Sequence, residues 1–521
     1  MLLLVSASQF KVNQCVRRDV RSCLPLRGSS GFTPDSLFPC RNIRHTNSTR
    51  ESSTYYEKMK NRRIQTCVVY SIALLFLPGA AISASKESGQ QFVWLSDIHF
   101  NPLADPKLAD QLAAADVPQW PSILASSSPK FSTYGQDTNW PLFASAIGEI
   151  KKTVPDPAFT IVTGDLLVHH FRERFDQSAS IHDDAAFRTF VLKTAAFVAS
   201  QLKQIAPSRP VFISLGNNDS DCGDYLLQPD GDFLRGTLPV MSDLLKVPAS
   251  SLPDWTEYGV YNVPNPSLRR YRIIAVNTIF FSARYRNACG NAPGDPGEKL
   301  LSRLDAELLK AQQQHEKVWL VYHIPPGIDG FATTRHNDTA VPLWKAQYAE
   351  GFDRLLSRYH ETIAAHFAGH THMDDFRLLG ASTSRRSLVL ITPGLSPNVN
   401  QNPAFRVVQF QKGGILIDQA TYYLSNLPTA GGSAGPEWKR EYSFDQLWGF
   451  RRLDYKNFEK LYRRIDTSPE ARKQWTALYS VSHPEGGTIT DQTFWPLHCA
   501  SGYSAINEYQ ACLSQGKNKH H

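Results

Sequence analysis

The sequence of 521 residues lacks two features that would point to a membrane or to a nucleic acid. Its apolar stretch from Cys67 to Leu77 is about half of the roughly 20 residues that a membrane-spanning helix needs. Basic excess is confined to the start, since residues 1–84 hold 12 of the 55 Lys and Arg residues and 4 of the 48 Asp and Glu residues. The other residues hold 43 basic and 44 acidic side chains, a net charge of about −1, which argues against nucleic-acid binding.

Cysteine is also scarce. Only four of the eight cysteines follow residue 84, namely Cys222, Cys289, Cys499 and Cys512. None lies near a histidine at the spacing of a zinc finger, so a structural zinc site is not expected. In an exported chain four cysteines allow three pairings, and proximity favours Cys499 with Cys512, which leaves Cys222 with Cys289. Four free thiols are the alternative.

The apolar stretch near the N-terminus has the layout of a secretory signal peptide. The basic segment Met59–Arg63 precedes it, and small residues between Ala80 and Ala84 follow it. We therefore predict a signal peptide over residues 59–84 and a secreted or periplasmic location. Residues 1–58 show no sustained periodicity and are expected to be an unstructured extension. Two explanations of this extension are open: a start site placed too early, with Met59 as the true initiator, or a mitochondrial-type targeting arm.

The rest of the chain has the composition of a globular protein, with 42% hydrophobic and 20% charged residues. Apolar side chains at helical spacing predict four helices: Trp140–Lys152, Asp184–Gln204, Gly297–Gln314 and Pro342–Arg358. Late strands are predicted at Ser387–Ile391, Phe405–Gln411 and Ile415–Tyr423. Residues 428–436 are rich in Gly, Ala and Pro and are predicted to link this part to a helical C-terminal region over residues 437–521. The mixture predicts an α/β fold of packed sheets flanked by helices.

Five strand-like runs share one property, because each stops at side chains that can bind a metal ion. The seven donors are Asp97, His99, Asp165, Asn217, His323, His370 and His372. Loops at the carboxyl ends of strands converge over a rigid sheet in α/β folds, so we expect these side chains to meet. Seven oxygen and nitrogen donors suit two divalent ions better than one. Such ligands accept zinc, which we expect first, and also iron or manganese.

The order of these donors resembles the pattern of calcineurin-like metallophosphoesterases: Asp-x-His, Gly-Asp, Gly-Asn-x-Asp, a lone His, and Gly-His-x-His. Three further segments resemble the acid sphingomyelinase-like phosphodiesterase branch of that family: Tyr134–Thr138, His323–Gly327, and Pro393–Pro397 with Asn402–Val407. The resemblance runs from Gln91 to Leu424. It implies a catalytic domain over residues 91–425 with the α/β/β/α sandwich of metallophosphoesterases.

The resemblance also implies a ligand set for each ion. One ion is held by Asp97, His99, Asp165 and His372, and the other by Asp165, Asn217, His323 and His370. Asp165 is the natural bridge, since a carboxylate has two oxygens to share. The implied reaction is attack on phosphorus by hydroxide that the two ions generate from a shared water.

The sequence departs from the family at one catalytic position. Many members carry histidine after the ligand asparagine, whereas this chain has Asn218, which can hydrogen-bond a phosphate but cannot act as a general acid. His169, four residues after Asp165, stands where the sphingomyelinase branch carries a histidine beside the phosphate. We therefore expect His169 to protonate the leaving group. The alternative is that His169 and the neighbouring His170 are exposed and have no catalytic role.

These features predict a secreted or periplasmic enzyme that hydrolyses a small phosphodiester, either nucleotide-like or a phospholipid headgroup. A phosphomonoesterase or nucleotidase would use the same site, and a non-catalytic binding protein is a third hypothesis. Acid sphingomyelinase itself carries a cysteine-rich lipid-handling module ahead of its catalytic domain. No such module stands between Ser85 and Gln91, which weakens the hypothesis of a lipid substrate.

Overall fold

The computed structural model describes residues 89–518, except 129, 288, 290–294, 381–385 and 486. The predicted extension and signal peptide therefore lie outside the described residues. The described chain forms the following strands: β1 Gln90–Leu95, β2 Thr160–Val162, β3 Val211–Ile213, β4 Tyr261–Pro264, β5 Tyr271–Val276, β6 Lys317–Tyr322, β7 Ile363–Ala368, β8 Asp375–Leu379, β9 Ser387–Ile391, β10 Ala404–Phe410, β11 Leu416–Leu424 and β12 Trp438–Ser443. The three late strands predicted from the sequence correspond to β9, β10 and β11.

The strands form two six-stranded sheets. The first sheet has the order β12-β11-β10-β1-β2-β3, in which β1, β2 and β3 are parallel and the other pairs are antiparallel. The second sheet has the order β4-β5-β6-β7-β9-β8, in which β5, β6, β7 and β9 are parallel. The strands that precede the predicted donors are thus the parallel strands β1, β2 and β3 of one sheet and β6 and β7 of the other.

Aromatic side chains fill the space between the two sheets. Phe92 of β1 lies 5.8 Å from Trp319 of β6 and 5.6 Å from Phe367 of β7, measured between ring centroids. Trp94 of β1 meets Phe367 edge-on at 5.1 Å. All four side chains are fully buried, and burial of one such side chain contributes about 1.5–3 kcal/mol. This shared core fixes the position of one sheet on the other.

Helices flank the sheets, which confirms the predicted α/β/β/α sandwich. They are α1 Ala109–Ala114, α2 Trp120–Leu124, α3 Trp140–Thr153, α4 Phe171–Ser178, α5 Asp184–Lys203, α6 Asp232–Leu245, α7 Trp255–Tyr258, α8 Pro296–Gln313, α9 Gly330–Arg335, α10 Ala346–Arg358, α11 Phe444–Trp448, α12 Tyr455–Thr467, α13 Pro469–Tyr479, α14 Phe494–Gly502 and α15 Ile506–Asn518. The four predicted helices are α3, α5, α8 and α10. Helix α10 begins four residues late because Pro342 and Trp344 form β-bridges with Ile328 and Ser282.

The C-terminal region is helical from α11 to α15, but it begins with a strand that the sequence did not predict. Residues 438–443 form β12, which pairs antiparallel with β11. Trp438 packs on Phe405 of β10 with ring centroids 5.7 Å apart, and such cross-strand packing favours a strand over a helix. The predicted linker, residues 428–436, therefore joins two neighbouring strands of one sheet.

Polar contacts fix the C-terminal region to the rest of the molecule, and one disulfide lies in each part. Asp375 of β8 accepts hydrogen bonds from Tyr479 Oη at 3.3 Å and from Ser501 Oγ at 2.8 Å. Disulfides join Cys499 to Cys512 and Cys222 to Cys289, which is the predicted pairing. Among the described residues, no helix combines the length and the apolar content that crossing a membrane requires.

Candidate metal centre

The seven predicted donors lie in loops directly after five strands. Asp97 and His99 follow β1, Asp165 follows β2, Asn217 follows β3, His323 follows β6, and His370 and His372 follow β7. Five of these residues have a left-handed backbone conformation: Asp97, His99, Asp165, His370 and His372. This conformation costs roughly 1–3 kcal/mol for each residue other than glycine, and it persists where the surrounding structure imposes it, as at functional sites.

The first donor group consists of Asp97, His99, Asp165 and His372. His99 Nε2 lies 3.2 Å from His372 Nε2 and 3.4 Å from Asp165 Oδ2. His372 Nε2 lies 3.2 Å from Asp97 Oδ1. One ion placed among these atoms would contact all four side chains.

The second donor group consists of Asp165, Asn217, His323 and His370. His323 Nε2 lies 3.1 Å from Asn217 Oδ1, 3.3 Å from Asp165 Oδ2 and 3.3 Å from His370 Nδ1. Asp165 Oδ2 thus faces an imidazole of each group. The structure brings together all seven residues singled out in the sequence and makes Asp165 the residue common to both groups.

Hydrogen bonds on the far side of two imidazoles show that these donors fit a cation. His99 Nδ1 lies 3.1 Å from the carbonyl oxygen of Leu167, and His323 Nδ1 lies 2.6 Å from that of Thr163. A carbonyl only accepts, so each Nδ1 carries a proton and each Nε2 is the atom directed at the other donors. Buried lone pairs and carboxylates facing one another are unfavourable unless a positive charge lies among them. Divalent ions would supply that charge.

Two glycines allow the donor loops to come this close. A Cβ atom on Gly216, just before Asn217, would collide with the carboxylate of Asp165. A Cβ atom on Gly369, just before His370, would collide with Ser96 Oγ and crowd the carboxylate of Asp97. The glycines of the Gly-Asn and Gly-His motifs are therefore required by packing at the metal centre.

The carboxylates of the centre stabilise positive charge on the imidazole between them. Burial lowers the pKa of His323, but Asp165 and Asp97 raise it further, to about 9. Burial conversely raises the pKa of Asp165, yet the neighbouring His323 and His99 hold it well below its ordinary value. A divalent ion carries more charge than this proton and would displace it on binding.

Asn218 is directed at Asp165. Its backbone N–H donates to Asp165 Oδ1 at 2.8 Å, and its Nδ2 donates to Asp165 Oδ2 at 3.0 Å. The side chain is buried and does not line the cleft above the metal centre. This position favours a role in orienting the shared carboxylate over the phosphate contact expected from the sequence.

His169 stands beside the first donor group. Its ring stacks on that of His99 with centroids 4.0 Å apart, and its Nδ1 lies 2.8 Å from Asp137 Oδ1. Arg174 Nη2 donates to the other oxygen of Asp137 at 3.2 Å. Burial lowers the pKa of His169, but the hydrogen bond and charge of Asp137 raise it above its ordinary value. His169 is thus a protonatable side chain that Asp137 positions and that lines the cleft, whereas His170 is exposed.

Several residues around the centre were given no functional role from the sequence. Asp137 lies within the quoted segment Tyr134–Thr138, which was the available signal for it. Asp224 accepts a hydrogen bond from Asn217 Nδ2 at 2.7 Å and so orients the Oδ1 atom of Asn217 towards His323. Tyr225 and Arg284 carry no local signal, because their place beside the centre arises from contacts between distant loops.

The centre lies at the floor of a cleft of about 470 Å³. Its polar lining residues include Asp224, Tyr225 and Arg284, and its apolar lining residues include Phe331, Met373, Val399 and Leu497. Leu497 and the neighbouring Tyr479 belong to the C-terminal helical region. The cleft therefore offers space for a small molecule above the metal centre, with walls from both parts of the chain.

Two donor groups that share one aspartate, at the common end of two packed sheets, are the arrangement expected of a dimetal phosphoesterase. The model of the calcineurin-like phosphoesterase family matches residues 91–374, and the chain belongs to this family. The family predicted from the motifs is thereby confirmed, and with it the assignment of the chain as a hydrolase.

Curated relatives lie in the predicted branch. The chain is 25% identical over 456 residues to the human acid sphingomyelinase-like phosphodiesterase 3b, covering 82% of this chain and 91% of the relative. It is 25% identical over 462 residues to the rat cyclic GMP-AMP phosphodiesterase SMPDL3A, covering 85% and 97%. Among solved structures, a dimetal phosphatase from Danio rerio is 14% identical and has a TM-score of 0.36, with 64% of this chain and 95% of that chain covered.

Proposed function

We propose that this protein is an exported phosphodiesterase with two divalent metal ions. The observation that carries the proposal is the pair of donor groups joined through Asp165. The Nε2 atoms of His99 and His323 are directed into these groups. The first ion would be held by Asp97, His99, Asp165 and His372. The second would be held by Asp165, Asn217, His323 and His370.

When bound, two divalent ions would lower the pKa of a water molecule enough to supply hydroxide near neutral pH. The residues around them have separate tasks in this proposal. Asn218 holds the shared carboxylate of Asp165, and Asp224 holds the amide of Asn217. Asp137 holds the Nδ1 atom of His169, which leaves Nε2 as the atom that delivers a proton.

His169 is the proposed general acid. As the bond from phosphorus to the leaving oxygen breaks, His169 Nε2 would transfer its proton to that oxygen, so that an alcohol leaves in place of an alkoxide. The hydrogen bond and charge of Asp137 raise the pKa of His169, which favours its protonated form. Asn218 cannot take this role, because an amide does not ionise in this range, and its Nδ2 atom donates to Asp165.

A small phosphodiester is the proposed substrate. The human relative is named for sphingomyelinase-like activity and the rat relative for cyclic GMP-AMP, and both names describe phosphodiesterases. The shared class, a diester of phosphate, is what we transfer to this chain. The cleft has the volume for such a substrate. Its apolar lining residues suit the organic part of a diester, namely Phe331, Met373, Val399 and Leu497.

Export is supported by the two disulfides, which form and persist in oxidising compartments. The proposed signal peptide, residues 59–84, would be removed to give a mature chain that starts near Ser85. N-terminal sequencing of the active protein tests this, and an active protein that still carried residues before Met59 would contradict it.

The catalytic proposal is tested by hydrolysis of a chromogenic diester and of the matching monoester, with and without a chelator. We expect faster turnover of the diester, loss of turnover in the chelator, and about two metal equivalents by elemental analysis. Faster turnover of the monoester would favour a phosphomonoesterase or nucleotidase on the same site. A protein with two bound metals that hydrolyses neither ester would be a binding protein.

A further inference from the structure

Arg284 is an exposed, positively charged side chain that lines the cleft. Among the described residues its guanidinium forms no ion pair. It lies 4.5 Å from the centroid of the Tyr225 ring, and its Nη1 donates to Tyr225 Oη at 3.4 Å. An arginine that packs on an aromatic ring, with no carboxylate partner, can pair with an anionic ligand without first breaking an ion pair.

Tyr225 connects this arginine to the metal centre. Its Oη atom lies 3.5 Å from His370 Nε2, so Arg284 stands one side chain away from the second donor group. His169, in contrast, stacks on His99 of the first donor group. His169 and Arg284 thus lie beside different donor groups, and both line the same cleft.

The described residues around Arg284 are linked to the loop that carries Tyr225. The Cys222–Cys289 disulfide joins their segment to that loop. Arg286 N donates to the Tyr225 carbonyl at 3.1 Å, and Tyr285 Oη donates to the Leu227 carbonyl at 3.0 Å. These links reduce the conformational freedom that Arg284 would lose on binding a ligand.

We propose that Arg284 is a catalytic residue that binds a non-bridging oxygen of the substrate phosphoryl group, beside the second donor group. This inference rests on the proposed function. Asn218 directs its backbone N–H and its Nδ2 atom at Asp165, whereas Arg284 lines the cleft with no carboxylate at ion-pair distance among the described residues. The guanidinium fork matches two phosphate oxygens and is suited to this role.

The test compares Arg284→Ala with Arg286→Ala, a matched control that removes an exposed arginine two residues along the same loop. Metal-loaded wild type and both variants are titrated with inorganic phosphate, and diester hydrolysis is measured in parallel. We expect Arg284→Ala to weaken phosphate binding and to lower kcat/KM by about 10- to 100-fold, the range for hydrogen bonds to charged groups. Arg286→Ala should stay within about twofold of wild type, as surface changes away from a site usually do.

Two further readouts separate contact with substrate from a structural role. Metal content and Tm should be the same in Arg284→Ala and wild type, and added guanidinium ion should restore part of the lost activity. Equal phosphate affinity in the two variants, or no phosphate binding by the metal-loaded wild type, would overturn the inference. Should the wild type bind phosphate but hydrolyse no diester, the proposed function fails, while the phosphate comparison still decides the role of Arg284.

Discussion

The two sheets contribute different chemistry to the metal centre. Strands β1, β2 and β3 of the first sheet end at Asp97, Asp165 and Asn217, which are oxygen donors. Strands β6 and β7 of the second sheet end at imidazoles, those of His323, His370 and His372. The first sheet therefore supplies the negative charge of the centre, and His99 is the one imidazole that it adds.

The proposed ions do not divide along the same line. Each donor group takes side chains from both sheets, since His372 completes the first group and His323 with His370 completes the second. The centre can form only when the sheets are packed as Phe92, Trp94 and Phe367 hold them. Metal binding should therefore stabilise the packed sandwich, because a ligand that binds only the folded state raises its stability.

The largest expected effect comes from the first sheet, at the one residue common to both groups. Asp165→Ala removes a charge and the contact to both ions, so we expect loss of both metal equivalents and a fall in turnover of at least about 10⁴-fold, which is several kcal/mol of transition-state stabilisation. Elemental analysis and a diester assay measure the two losses. Asp165→Asn is the control that keeps the size of the side chain without its charge. A fully metallated, fully active Asp165→Ala protein would rule out the shared carboxylate.

The next effect concerns His169, on the loop after β2 of the same sheet. Nitrophenolate leaves without help from an acid, whereas an alkoxide needs one, and general acid catalysis contributes about 10²- to 10⁴-fold. His169→Ala should therefore slow hydrolysis of alkyl diesters by about that factor, slow nitrophenyl diesters far less, and leave metal content intact. Asp137→Asn should reproduce part of this difference, because it loosens the same imidazole.

Two other outcomes for His169 have a clear meaning. Equal losses on both kinds of diester would assign it to phosphate binding, and then Arg284 and His169 would share one task beside the two donor groups. No loss on either diester would remove it from the mechanism.

The second sheet should show smaller effects that concern one ion at a time. His372→Ala should lose about one metal equivalent from the first group, and His370→Ala about one from the second. We expect activity at limiting metal to fall about 100-fold in each, as at the upper end for residues that tune metal sites, and excess metal to restore part of it. Metal analysis after dialysis distinguishes these variants from Asp165→Ala. Loss of both ions from either variant would erase the contrast between the sheets.

Much of this centre was predictable because the chemistry is local in the sequence. Each donor directly follows a short apolar run, so a strand and its metal ligand are predicted together, and Asp165 and His323 needed no knowledge of distant contacts. The second layer was not predictable in this way. Asp137 reaches His169 across 32 positions, and Arg284 meets Tyr225 across 59, with no periodicity that connects them. The strand conformation of β12 residues such as Tyr442 likewise depends on pairing with the neighbouring strand β11.

The left-handed backbone at the donors was also outside what composition can indicate. Aspartate and histidine adopt it more readily than β-branched residues, but the conformation of Asp97 or His370 is imposed by tertiary contacts. Asn218 illustrates the same limit. Its place after the ligand Asn217 predicted a phosphate contact. In the structure its backbone N–H and its Nδ2 atom donate to Asp165.

The smallest effect tests a histidine of the second sheet that lies away from the metal centre. His366 of β7 is fully buried, and its ring contacts Ser387 Oγ at 2.8 Å and Tyr322 Oη at 3.3 Å. Burial lowers its pKa from 6.5 to about 3.

The pH dependence of stability follows from this lowered pKa. Below pH 6.5 the unfolded chain binds a proton at His366 that the folded chain refuses until about pH 3, so stability falls as pH drops through this window, by about 1.4 kcal/mol per pH unit. His366→Gln keeps a polar side chain for Ser387 and removes the titration. The difference in unfolding free energy between wild type and variant should therefore shift by about 2 kcal/mol, against wild type, between pH 7 and pH 5 in urea denaturation. Between pH 7 and pH 8, both above the pKa of the unfolded histidine, it should stay constant. A difference that does not change between pH 7 and pH 5 would show that His366 titrates alike in both states, and the second sheet would then hold no buried acid-sensitive histidine at this position.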